Sequence, residues 1–217
     1  MFTNPITCVF SRRHLNRLAL AGAFAAMLGL YTGCNMGGGG GGPVNVPLQY
    51  RPTHAEPLTG TSLNAADVKV YLAPVNDRRD NKEQIGQNVE DDDKAPIPVM
   101  AADKTPTDYV HDVLEEELKT FGVELVEAPE AADRIIAIDL AKFWCEEGNN
   151  YRAEVRGTAE VRNKGGSSLW KGPVGGEGRT FGRSLSPTNY NEALSDATRR
   201  TVGSLISNAG FAKALAR

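Results

Sequence analysis

The sequence predicts an α+β fold, with an antiparallel-rich sheet of about four to five strands and two amphipathic helices on one face. The first observation is that residues 151–161 alternate apolar and polar side chains, the period of a strand with one buried face. The second is that residues 105–122 and 186–206 place apolar side chains at helical spacing behind a Thr-Pro or Ser-Pro start. With 41% hydrophobic residues among 217, the chain can build one core.

Composition excludes several functional classes. Twenty-four basic and 27 acidic residues give a net charge of −3, which argues against a nucleic-acid partner. A charged fraction of 24% excludes a multi-span membrane protein. Three cysteines, without CxxC, HExxH or a serine elbow, provide no metal or nucleophile motif. We therefore expect no enzyme activity, no catalytic residues, no metal and no cofactor other than covalent lipid.

The N-terminus has the features of an export signal over residues 1–33. A basic cluster precedes a thirteen-residue apolar run, Leu18 to Leu30, which is short for a membrane span. The run ends in a segment that looks like the lipobox of bacterial lipoproteins, with signal-peptidase recognition residues before an acylated cysteine: Leu30, Tyr31, Thr32, Gly33 and Cys34. The alternatives are an ordinary signal peptide with an incidental Cys34, and export by the twin-arginine route instead of Sec.

Acyl chains on Cys34, palmitate among them, would anchor the chain, because each buried methylene contributes about 0.8 kcal/mol. The bilayer is thus one predicted partner. Asn35 follows the cysteine; aspartate there favours inner-membrane retention in similar lipoproteins, so the resemblance implies the periplasmic face of the outer membrane. Residues 34–66 contain a hexaglycine and four prolines and are predicted to be a flexible tether before a domain over residues 67–217.

Within that domain, a strand at residues 68–75 is followed by a polar segment, residues 76–104, which we interpret as a long loop. Its charged start and its apolar run beside an acidic cluster suggest a binding surface for an envelope protein; a disordered insertion is the alternative. The candidate partner-binding residues are Asp77, Arg78, Arg79, Ile97, Val99 and Met100.

The remaining elements follow in order after the helix at residues 105–122. Short and long strands are predicted at 123–126, 134–145, 151–161 and 168–181, joined as a meander, with the helix at 186–206 closing the chain. In the strand 134–145, Ile136, Ile138 and Leu140 are assigned to one face, and Ala137, Ala141 and Phe143 to the other.

The histidines and the remaining cysteine show no catalytic or metal-binding pattern. His54 and His111 are far from each other and show no metal-ligand spacing, which makes them weak metal candidates. Cys145, the free thiol left after lipidation of Cys34, is predicted to be a buried hydrophobic residue.

Four segments together resemble the YajG-type lipoproteins: the lipobox, the strand Val70–Val75 running into Asn76-Asp77-Arg78-Arg79, the Phe121-Gly122-Val123 helix end, and Asn189–Leu194. The resemblance implies an outer-membrane lipoprotein with a periplasmic α+β domain and no catalytic activity. Auxiliary lipoproteins of lipid-transport ABC systems share this layout and are one alternative. A hydrolase of envelope polymers is the other.

Overall fold

The computed structural model describes residues 42–53, 58, 63, 65, 67–89 and 93–216. The predictions for the signal peptide, Leu30 to Gly33, Cys34, His54 and the acidic residues 90–92 fall outside these ranges. The elements are β1 (Val44–Val46), β2 (Lys69–Leu72), β3 (Asn76–Asp77), β4 (Gln84–Asn88), β5 (Ile97–Ala101), α1 (Pro106–Thr120), β6 (Glu124–Leu125), β7 (Arg134–Glu147), β8 (Asn150–Asn163), β9 (Ser168–Phe181), α2 (Pro187–Ile206) and α3 (Ala209–Leu215).

All nine strands of the described residues belong to one mixed sheet. Five of the eight strand pairings are parallel and three are antiparallel. The prediction of an antiparallel-rich sheet of four to five strands is therefore wrong in strand number and in strand direction. The four strands that were not predicted, β1, β3, β4 and β5, have two to five residues each, too few to show a period-two pattern.

The long strands β7, β8 and β9 form the predicted meander. Alternation along β8 is confirmed, since Tyr151, Val155 and Val161 are buried. In β7 the pairing register shifts between Leu140 and Lys142, so that one residue is added to the strand as a β-bulge. The bulge turns Phe143 onto the same buried face as Leu140, which corrects the predicted assignment of Phe143 to the opposite face.

The helices cover the buried face of the sheet. In α1, the Thr105 hydroxyl accepts a hydrogen bond from the Asp108 backbone nitrogen, which confirms the predicted N-cap. In α2, Ser186 caps the helix in the same way. The short helix α3 was not predicted; its Phe211 is fully buried and packs edge-on against Trp170 of β9, with 5.6 Å between ring centroids.

The predicted tether is wrong over residues 44–53, which belong to the domain. Strand β1 pairs in parallel with β5, and Val46 and Leu48 are 0% and 2% exposed. Beyond β1, backbone nitrogens of the extended chain donate hydrogen bonds to three buried polar side chains of α2: Gln49 to Asn191, Arg51 to Ser195 and Thr53 to Asp196, at 2.9, 3.1 and 2.8 Å. These α2 side chains provide the acceptors that an extended segment needs when it leaves water.

The predicted loop at residues 76–104 is also wrong, because it contains β3, β4 and β5. Ile85 and Val99 are fully buried in the core. Gly86 explains how β4 approaches β7 so closely, since a Cβ there would lie 2.1 Å from the Cys145 carbonyl oxygen. The polar composition of this segment gave no indication of its three short strands, of which β3 has no buried residue and β5 buries only Val99.

Candidate functional site

The predicted partner-binding pair Asp77 and Arg79 forms a closed internal clamp. Both Arg79 Nε and the Arg79 backbone nitrogen donate to Asp77 Oδ1 at 3.0 Å, and Arg79 Nη2 donates to Asp77 Oδ2 at 2.8 Å. The guanidinium also donates to the carbonyl oxygens of Lys82 and Gln84, at 2.7 and 3.3 Å. Burial raises the pKa of Asp77, but hydrogen bonds and charge from Arg79 outweigh burial and hold that pKa below its usual value. The clamp therefore shapes the turn between β3 and β4, and the two side chains bond mainly to each other and to the backbone of their own chain.

The neighbouring Arg78 is different. Its side chain is 65% exposed, and its Nε lies 3.5 Å from Asp139 Oδ1. A pair so exposed contributes little to folding. Of the three charged candidates, Arg78 is thus the residue whose side chain remains accessible to a partner.

The apolar candidates on β5 do not form one exposed surface. Val99 is buried, and the prediction that it contacts a partner is wrong because it points into the core. Ile97 and Met100 are half-buried. Met100 and Asp77 line one open groove of about 610 Å³ between the β3–β4 turn and the start of α1. The other charged residues that line the groove carry both signs: Lys82, Glu83, Asp103 and Lys104.

A buried carboxylate at the end of β7 was not predicted from the sequence. Glu147 is 0% exposed; its Oε1 accepts hydrogen bonds from the backbone nitrogens of Ser184 and Leu185, at 2.8 and 3.0 Å, and its Oε2 accepts one from the Tyr190 hydroxyl at 2.7 Å. Burial raises the pKa of Glu147, but hydrogen bonds from Asn88, Tyr190 and the loop backbone more than compensate and lower it. The available signal was a Glu on the inward-facing side of a strand, two residues after Cys145.

Glu147 fixes the loop between β9 and α2. Leu185 in this loop has φ of 52°, a left-handed conformation that costs a non-glycine residue about 1–2 kcal/mol. The Ser186 backbone nitrogen donates to the Tyr151 hydroxyl at 3.0 Å, and the ring of Tyr151 meets Tyr190 edge-on at 4.8 Å. Beside this loop, Phe181 is 92% exposed. A buried polar network thus holds a strained loop next to an exposed aromatic side chain.

Two further features, a cluster of possible metal ligands and a free thiol, are unsuited to binding or catalysis as they stand. His111, Asp112 and Glu115 bring ligand atoms within 4.8 Å of one another, but Lys104 Nζ lies 2.6 Å from Asp112, and Lys119 binds Glu115. A cation would have to displace both lysines. Cys145 is 0% exposed, and burial raises the pKa of its thiol, so that it lacks the thiolate character of a nucleophile. None of the helices in the described part of the chain is long and apolar enough to cross a membrane.

Comparisons with family models and with curated proteins give no match. Among solved structures, protein XCC0632 from Xanthomonas campestris, with the family description DUF330, is similar with a TM-score of 0.52 and 11% identity, covering 78% of this chain and 95% of that one. The PelC dodecamer from Paraburkholderia phytofirmans gives 0.39 and 12%, covering 67% and 88%. Lipoprotein GNA1162 from Neisseria meningitidis gives 0.28 and 14%, covering 54% and 87%. At these identities the first similarity shows the fold, and the other two carry no argument.

Proposed function

We propose that this chain is a non-enzymatic outer-membrane lipoprotein of the YajG type. Acyl chains on Cys34 hold it at the membrane, and its periplasmic domain binds another component of the envelope. The observation that carries the proposal is the order of features at the N-terminus: a basic cluster, thirteen apolar residues, and Leu30-Tyr31-Thr32-Gly33-Cys34.

The chemistry of the domain supports a binding role over the hydrolase alternative. A glycosidase-type hydrolase of envelope polymers needs a carboxyl group with a raised pKa and a carboxylate that faces substrate. Glu147 has a lowered pKa and is saturated by donors of its own chain. Asp77 also has a lowered pKa and is paired with Arg79. Both carboxylates hold the backbone in place and are unsuited to proton transfer.

Metabolic labelling with an alkyne analogue of palmitate tests the anchor. The wild-type chain and the matched control Cys8→Ala should carry the label, because Cys8 lies ahead of the apolar run. The Cys34→Ala variant should carry none. A label that persists on Cys34→Ala would contradict lipidation at this residue.

Location and partner require separate measurements. Membranes separated on a density gradient should place the wild-type chain with the outer membrane, and Asn35→Asp should move it to the inner membrane. Crosslinking in cells followed by mass spectrometry should identify an envelope protein, with a transport-system component as the outcome expected for the ABC-auxiliary alternative. Release of soluble fragments from envelope polymers by the purified protein would instead support the hydrolase.

A further inference from the structure

We propose that the end of the sheet that carries Phe181, Arg183 and Leu185 rests on the phospholipid surface in which the lipid anchor is inserted. The inference rests on the proposed lipidation of Cys34 and adds the orientation of the domain and a second contact with the bilayer. It is argued from three observations: exposed apolar side chains, neighbouring arginines and the point at which the chain leaves the domain.

The exposed apolar side chains are few and lie at defined places. In the described ranges, three large hydrophobic residues are exposed: Phe181 at 92%, Leu169 at 45% and Leu185 at 37%. Phe181 ends β9, and Leu185 lies four residues later in the loop that Glu147 fixes. Leu169 lies near the other end of β9. Phe181 and Leu185 therefore mark one end of the sheet. Phe181 is exposed at the end of β9, and Leu185 is exposed in the strained loop that follows.

Arginines surround this apolar end. Arg183 is exposed and hydrogen-bonds Asn149 in the β7–β8 turn. Arg152 and Arg179 lie directly opposite each other on β8 and β9, and the Arg179 side chain is 67% exposed, with Glu177 at 4.0 Å. A guanidinium group can donate two parallel hydrogen bonds to the oxygens of one phosphate. Aromatic and cationic residues are also typical of the membrane interface. The chemistry fits phospholipid headgroups above an apolar layer.

The chain toward Cys34 leaves the sheet at this same end of the strands, although β1 and β9 are five strands apart. The strand registers place Val44 in one cross-strand row with the following residues: Val99, Gly86, Cys145, Ala153 and Gly178. Gly42 comes two residues before Val44. Because β1 runs parallel to β8, Gly42 lies toward the row that contains Thr180.

The length of the remaining chain decides the orientation. Gly42 is the eighth residue after Cys34, and eight residues span at most about 27 Å. Phe181 is the twelfth residue after Leu169, and twelve residues of a strand span about 40 Å. An orientation with the Leu169 end on the membrane would lift Gly42 beyond the reach of the anchor. The Phe181 end can reach the bilayer, so that anchor and surface contact cooperate.

Site-directed spin labelling of the full lipidated chain tests this orientation. Phe181→Cys and the matched control Leu169→Cys each add one exposed thiol, while Cys145 stays buried and unreactive. The labelled proteins are reconstituted into vesicles of phosphatidylethanolamine and phosphatidylglycerol, after palmitate labelling has verified lipidation. Circular dichroism checks that both variants are folded.

We expect the label at residue 181 to collide more often with oxygen, which dissolves in lipid, than with a water-soluble nickel chelate. The label at residue 169 should show the reverse. Equal, water-like behaviour at both residues in a lipidated protein would overturn this inference and leave the proposed lipoprotein function intact. A label at residue 181 shielded from both reagents would also overturn it, since that result indicates a protein contact. Absence of lipid on the wild-type chain would instead contradict the proposed function itself.

Discussion

The Tyr190 hydroxyl donates a hydrogen bond of 2.7 Å to Oε2 of the fully buried Glu147. The other carboxylate oxygen accepts two backbone hydrogen bonds from the loop that joins β9 to α2. A single anion thus connects the end of β7, the first turn of α2 and a loop with a left-handed residue. A buried charge is tolerated only when its bonding capacity is filled in this way.

Replacing Glu147 by Gln should lower the free energy of unfolding by about 2–3 kcal/mol at neutral pH, because an amide nitrogen would face backbone donors and lose charge-assisted bonds. The effect should depend on pH. Since the pKa of Glu147 in the fold lies below its ordinary value of 4.5, its contribution to stability is complete above that value and disappears as the pH falls through the folded pKa. Urea titrations of both proteins between pH 3 and pH 7 measure the difference.

The matched control for this experiment is Tyr190→Phe, which removes one donor and leaves the carboxylate in place. It should cost about 1–2 kcal/mol. A stability difference between Glu147→Gln and the wild type that stayed constant down to pH 3 would contradict the assignment of Glu147 as a buried anion.

Elements with long periodic patterns or a local apolar run could be predicted from the sequence, and the short strands β1, β3, β4 and β5 could not. Strand β8 and the capped starts of α1 and α2 were predicted because apolar spacing and caps are local signals. Strand β1 pairs with β5, more than fifty residues later in the chain, and the segment after β1 is held by α2 side chains more than a hundred residues away, so that no local pattern indicates it. The role of Glu147 depends on a loop almost forty residues later in the chain. The bulge in β7 likewise follows from pairing, and pairing is a tertiary property.

Gly157 of β8 lies opposite Leu140 at that bulge, and a Cβ there would fall 2.5 Å from the Asp139 carbonyl oxygen. Gly157→Ala should therefore destabilise the fold by about 1–3 kcal/mol, because backbone atoms must shift to relieve the contact. The control is Gly165→Ala in the β8–β9 turn, where the nearest contact is 3.4 Å to a side-chain oxygen. Thermal melts compare the two; equal melting temperatures would show that the bulge accommodates a side chain.

Residues 43–63 should contribute strongly to stability. Burying Val46 and Leu48 is worth about 1.5–3 kcal/mol each, and 1 kcal/mol shifts the melting temperature by about 2–4 °C at this size. A chain that starts at Asn64 should thus melt about ten degrees or more below one that starts at Gly42. Asp196→Ala, which removes the acceptor for the Thr53 backbone nitrogen, should give a smaller decrease. If both truncated chains melted at the same temperature, residues 43–63 would be shown to add no stability.

The adjacent Arg78 and Arg79 should separate binding from folding. Arg79→Ala removes the donors to Asp77, Lys82 and Gln84 and should cost about 3 kcal/mol, since it leaves a partly buried carboxylate and two carbonyl oxygens without a partner. Arg78→Ala removes an exposed pair with Asp139 and should cost less than about 1 kcal/mol. Denaturant titration of the two purified variants provides this comparison. In cells, Arg78→Ala should lose crosslinks to the envelope partner while the domain stays folded, because its guanidinium is the exposed charge among the predicted partner-binding residues. Crosslinks that persist in folded Arg78→Ala would remove this residue from the binding surface, and a fully stable Arg79→Ala would contradict the clamp.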